Sequence, residues 1–145
     1  MALALMVSIR LWLDGVVSPT RDRALIDQLA RQIRAGAVVA PLLVAVNGLS
    51  SYVGALRRAF RKRVPTGGRG APRKVIGAEL VIGQVVKGYT RRVVGVAHWI
   101  AQGTAIAAMV LLQRTGSQVL NTAYIERLNG TFRERLAGLG RRTWH

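Results

Sequence analysis

The run Leu42-Leu43-Val44-Ala45-Val46 constrains the fold of this chain more than any other segment. It is a short, unbroken apolar stretch with no polar face to show to water. A buried strand of a parallel sheet accommodates such a run. Asn47-Gly48 closes it, and the spacing then changes. Leu49, Tyr52, Val53, Leu56 and Phe60 recur every three or four residues, as on a helix packed along one face. Strand, sharp turn and helix follow in that order. Open α/β sheets gather ligands and reacting groups at such a strand end.

The rest of the chain fits around this unit. Ala2–Val7 and Leu11–Val17 read as a hairpin, ended by Ser18-Pro19-Thr20 because proline cannot donate to a ladder. Arg21–Ala35 reads as a helix with Leu25, Ile26, Leu29 and Ile33 on one face. Thr20 is its expected N-cap and Gly36 its stop. Val64–Val75, with its glycines and prolines, reads as a flexible loop. Leu80–Tyr89 and Arg91–Ala97 read as strands, and Thr104 as the cap of a helix over Ala105–Arg114. Asn121 or Thr122 opens a last helix to about Leu139, with Ile125, Leu128, Phe132, Leu136 and Leu139 as its stripe. The expected fold class is mixed α+β: a mixed sheet with flanking helices.

Charge narrows the partner. The 145 residues carry 22 Lys+Arg against 6 Asp+Glu, a net charge of +16. That imbalance points to a polyanion, and nucleic acid is the usual one. There is no cysteine, so disulfides, thiolate zinc sites and cysteine nucleophiles are excluded. No apolar run reaches the length of a membrane span, about 20 residues. The expected setting is soluble and cytoplasmic, at the nucleoid, with no membrane partner.

Three segments together resemble a known family. They are RLWLDGVVSPTRDRALI (Arg10–Ile26), LLVAVNGLSSY (Leu42–Tyr52) and NTAYIERLNGTFRER (Asn121–Arg135), the last followed by Arg141-Arg142-Thr143. The third is the most specific, because side chains of several chemistries must coincide at the start of an arginine-rich helix. In this order, over essentially the whole chain, they resemble the catalytic core of insertion-sequence DDE transposases, of the ribonuclease H-like integrase superfamily. The resemblance implies a five-stranded mixed sheet flanked by helices. It also implies three carboxylates converging on two Mg2+ ions, with phosphodiester hydrolysis and strand transfer at element ends as the chemistry. Such ions need hard oxygen ligands, hence Asp and Glu.

Carried over by position, the third acid is Glu126 and the second falls on Asn47. The first would lie on a strand before Ala2. The resemblance thus implies that residues 1–145 form a single partial catalytic domain, an incomplete ribonuclease H-like fold lacking its first strand. The free sheet edge this leaves is expected to favour a homo-oligomer or aggregation. The acids themselves agree: Asp14, Asp22 and Asp27 all precede residue 28, and Glu79, Glu126 and Glu134 show no metal-site spacing. With two of three charged ligands missing, strand transfer is expected to be lost.

Both positions have a plainer reading. Asn47 suits an Asn-Gly turn, and Glu126 suits a helix N-terminus, where the dipole favours a carboxylate. Asp14 reads as a strand-edge residue and Asp22 as a charge on the first helical turn. For DNA contact the candidates are Arg57, Arg58, Arg61, Lys62 and Arg63, continued by Arg69, Arg73 and Lys74. A second cluster holds Arg127, Arg133, Arg135, Arg141 and Arg142. Such side chains grip phosphates without reading sequence. His98 and His145 stand apart from any acid, and Ser50 and Ser51 have no His–acid partners in view. Gly67-Gly68-Arg69-Gly70 lacks the lysine and preceding strand of a phosphate loop. The alternative function is a basic nucleic-acid-binding protein with no enzymatic ancestry.

Overall fold

A computed structural model of the chain describes residues 2–6, 11–18, 22–38 and 41–135. Strands β1 (Ala2–Met6) and β2 (Leu11–Val16) form the expected antiparallel hairpin, Ala2 opposite Val16, with a bulge between Ala4 and Leu5. Helix α1 (Arg23–Gly36) begins at Asp22, whose carboxylate accepts the Leu25 N–H at 3.0 Å. The cap is therefore Asp22, two residues beyond the expected Thr20. Its charge also suits the helix N-terminus. Thr20 and Arg21 lie outside the described residues.

Strand β3 (Leu42–Asn47) and helix α2 (Ser50–Ala59) realise the strand–turn–helix unit. Strands β6 (Leu80–Tyr89) and β7 (Val93–Gln102) complete a sheet of order β3-β6-β7. Here β3 runs parallel to β6, with Leu42 opposite Leu80 and Asn47 opposite Val85, and β7 runs antiparallel to β6. The expected parallel pairing is present, but among the described residues β3 is an edge strand. Only Val46 of it is buried, whereas Leu80, Val81 and Ile82 of central β6 are fully buried. β7 reaches Gln102, past the expected Ala97, because His98 to Gln102 keep pairing along β6.

Alternation sorts the two faces of this sheet. Leu80 and Ile82 pack with Val46 against α1 and α2, where Ala30, Val53, Leu56 and Phe60 close the main core. Val81 points the other way, to Ala108 and Leu111 of helix α3 (Ala105–Arg114), with Leu43 beside it. Thr104 caps α3 as expected, its hydroxyl oxygen accepting from Ala107 N at 3.1 Å.

The segment expected as a loop is a second hairpin. Strands β4 (Arg61–Val64) and β5 (Arg73–Ile76) pair antiparallel, Arg63 opposite Lys74, so only the residues between them form the connection. Last comes helix α4 (Ala123–Arg135), with Ile125, Leu128 and Phe132 half-buried. Leu136 and Leu139 of its expected stripe lie outside the described residues.

The architecture is mixed α+β, in two sheet pieces besides the β4–β5 ribbon. Ala2, Ala4 and Val16 of the first hairpin pack on Leu25 and Leu29 of α1 in a core of their own. Ile33 and Tyr52 touch both this core and the main one. On the other side, Leu5 of β1 shares a shallow hollow with Tyr124, Leu128 and Thr131 of α4.

Candidate functional site

Asn47 is the last residue of β3, and its side-chain oxygen accepts from Leu49 N at 3.2 Å. This local turn is the one an Asn-Gly pair favours. In a parallel pair, residues in register point to the same face. Asn47 therefore shares a face with Val85, and with Lys87 two positions along β6. Lys87 forms an ion pair with Glu126 in the first turn of α4. The two positions singled out in the sequence thus lie at one end and on one face of the sheet.

Both carboxylate oxygens of Glu126 are occupied. Oε2 accepts from Lys87 Nζ, and Oε1 accepts from the Thr122 hydroxyl at 2.6 Å. Thr122 is buried and its carbonyl accepts the Glu126 N–H at 3.0 Å, so the acid is held from both sides as the helix opens. Partial burial works against ionisation. The hydrogen bonds from Lys87 and Thr122 and the charge of Lys87 outweigh it, and the carboxyl lies below the usual glutamate range.

This arrangement does not fit a pair of Mg2+ ions. Such ions require several anionic oxygens. Glu126 offers one carboxylate already neutralised by an ammonium, and Asn47 offers a neutral amide oxygen engaged with Leu49. Of the other five acids, Asp27 pairs with Arg58, Glu79 with Lys62, Asp22 caps α1, Asp14 accepts from Gly15 N on β2, and Glu134 is exposed in the last turn of α4. Among the described residues, no three His, Asp or Glu side chains come together.

Lys87 was not singled out in the sequence. Its only signal is alternation with Val85 in β6, which acquires meaning once β6 is known to pair with β3.

The basic candidates divide by what they touch. Arg57 donates to the Ala101 carbonyl and, at 3.2 Å, to the Gln102 side chain, fastening α2 to the end of β7. Arg58 binds Asp27 across α1 and α2 at 2.5 Å. Lys62 pairs with Glu79, whose carboxyl that hydrogen bond draws below its usual range. These three are committed within the fold. Arg61, Arg63, Arg69, Arg73 and Lys74 are exposed on the β4–β5 ribbon and its connection. Arg127, Arg133 and Arg135 are exposed along α4. Arg141 and Arg142 lie outside the described residues. Arg91 and Arg92, exposed at the turn between β6 and β7, add positive charge beyond Lys87.

The ribbon and Glu126 stand at opposite ends of β6. Glu79, which anchors Lys62, directly precedes the strand, and Lys87 lies eight residues further on. At about 3.3 Å per residue, that separates them by roughly 25 Å.

No helix among the described residues is long and apolar enough to cross a membrane. Comparison with protein-family models, curated proteins and solved structures returned no match.

Proposed function

We propose that this chain is a transposase-type domain of the ribonuclease H-like group that holds DNA and has lost strand transfer. One observation carries the reading. Asn47 at a strand end and Glu126 on the last helix are brought to one face and one end of the sheet. The resemblance assigns those two positions to metal-binding acids, Asn47 through the LLVAVNGLSSY segment and Glu126 through NTAYIERLN. The exposed cations Arg91, Arg92 and Arg127 suit a phosphate backbone at the same end. Lys87 supplies the counter-charge that a metal would supply in an active relative, so the residue of catalysis is an ion pair. Among the described residues β3 pairs only with β6, and its other edge suits self-association.

A test compares the chain with its Asn47→Asp/Lys87→Ser form on supercoiled plasmid with Mg2+, and measures the melting temperature of each against Mn2+. The unaltered chain should bind the plasmid without nicking it and melt independently of Mn2+. The double variant should gain Mn2+-dependent stability, since two carboxylates then share one sheet end without an ammonium. Metal-dependent nicking by the unaltered chain would refute the loss of catalysis. A double variant indifferent to Mn2+ would argue against the ancestry.

The second reading is a basic nucleic-acid-binding protein with no enzymatic ancestry. The position of the β4–β5 ribbon favours it. A duplex gripped there is not delivered to Glu126, which lies at the far end of β6.

A further inference from the structure

We infer that the β4–β5 ribbon is a groove-binding element for duplex DNA, and that one of its two faces makes the contact. The inference rests on the nucleic-acid binding common to both readings above, not on the transposase ancestry.

Directly opposed residues of an antiparallel pair share a face, and neighbours along a strand alternate. The register places Arg61, Arg63, Lys74 and Ile76 on one side, and Lys62, Val64, Arg73 and Val75 on the other. The second side is partly committed, since Lys62 is bound to Glu79. On the first side, Ile76 packs against the main core and roots the ribbon. Its three cations are exposed and pair with no acid among the described residues.

Arg63 and Lys74 stand directly opposite each other. Like charges so placed destabilise a strand pair. Among the described residues no carboxylate relieves this pair, whereas Lys62, one position away, has one. A polyanion would relieve it. Arg61 and Arg63 are about 7 Å apart along the strand, with Lys74 beside them, so three charges converge on a patch one side chain deep. Arg69 extends the charge into the connection, where Gly67 takes φ of 72° and a bare backbone can approach a partner closely.

The ribbon's form selects the partner. The major groove of B-form DNA, about 12 Å wide, admits a two-stranded β-ribbon, and the deep, narrow major groove of A-form RNA does not. The ribbon is two strands wide, exposed along most of both strands, and held near its root by Ile76 and the Lys62–Glu79 pair, an arrangement that suits entry into a groove.

The test is a salt titration of binding to one labelled sequence as duplex DNA and as duplex RNA. It uses the full chain, an Arg61→Gln/Arg63→Gln/Lys74→Gln variant, an Arg127→Gln/Arg133→Gln/Arg135→Gln variant, and a charge-keeping Arg61→Lys/Arg63→Lys/Lys74→Arg variant. Each neutralised phosphate contributes about 0.9 to the slope of log affinity against log salt. The ribbon variant should lower the slope for duplex DNA by about 2 to 3. The charge-keeping variant should leave it near that of the unaltered chain, which shows that charge rather than folding is responsible. A full slope in the ribbon variant, with the loss falling on the α4 variant instead, would overturn the ribbon assignment and leave DNA binding standing. Equal or tighter binding to duplex RNA would overturn the choice of DNA. No salt-dependent binding by the unaltered chain would overturn the nucleic-acid reading itself, and the ribbon with it.

Discussion

Glu126 is subject to opposing influences, and their balance fixes its behaviour in acid. Desolvation favours the neutral acid, while Lys87 and Thr122 favour the carboxylate and prevail. The folded chain therefore binds this proton less tightly than the unfolded chain, in which a glutamate titrates at about pH 4.3. The stability this group adds is complete above that pH and is lost as the pH falls through the lower folded value. The side chain is 46% exposed, so solvent screens the pair. Glu126→Gln should cost about 0.5 kcal/mol or less at neutral pH. In strong acid, where both states are protonated, it should cost almost nothing. Urea unfolding at the two pH values measures the difference, and an equal cost at both would refute the ion-pair account.

Between elements, the Arg58–Asp27 contact joins two helices that both feed the main core. Nη2 and Nε of Arg58 reach the same carboxylate oxygen at 2.5 and 3.2 Å, with both side chains about a third exposed or less. Arg23 approaches Asp27 only at 3.8 Å and is largely solvated, so it offers little substitute. Arg58→Ala should lower stability by about 1–2 kcal/mol, a charged hydrogen-bonded contact half out of water. The midpoint of urea unfolding reads this directly, and a change within error would mean the contact is held by the helices rather than holding them. The elements differ in how openly the sequence declares them. The period of α2 and the apolar run of β3 are local, and both elements were legible. Thr20 and Asp22 are both cap residue types, and that Asp22 takes the Leu25 N–H is seen only in the fold. The β4–β5 hairpin was hidden because its strands are only four residues each, RKRV and RKVI, with the charges in one block and the apolar residues at the end rather than alternating. Their pairing also spans a stretch whose glycines and prolines promise only a turn. The ion pair of Glu126 was hidden for a related reason: Lys87 is 39 residues away, and the register that aligns them is tertiary.

At the scale of the molecule, the hairpin core and the main core lie side by side along α1, which gives Leu25 and Leu29 to the first and Ala30 to the second. The β1–β2 hairpin has small buried residues, Ala2, Ala4 and Val16, set against α1. The β3-β6-β7 sheet has the larger fully buried ones, Leu80, Val81 and Ile82. No strand pairing joins the two pieces among the described residues, and Ile33 and Tyr52 are the side chains common to both cores. A chain joined this way need not open as one unit. Amide protons of β1 and β2 should exchange with deuterium sooner than those of β6, through an excursion that frees the hairpin while the sheet stays shut. Identical protection factors across both pieces would show that the two cores open together.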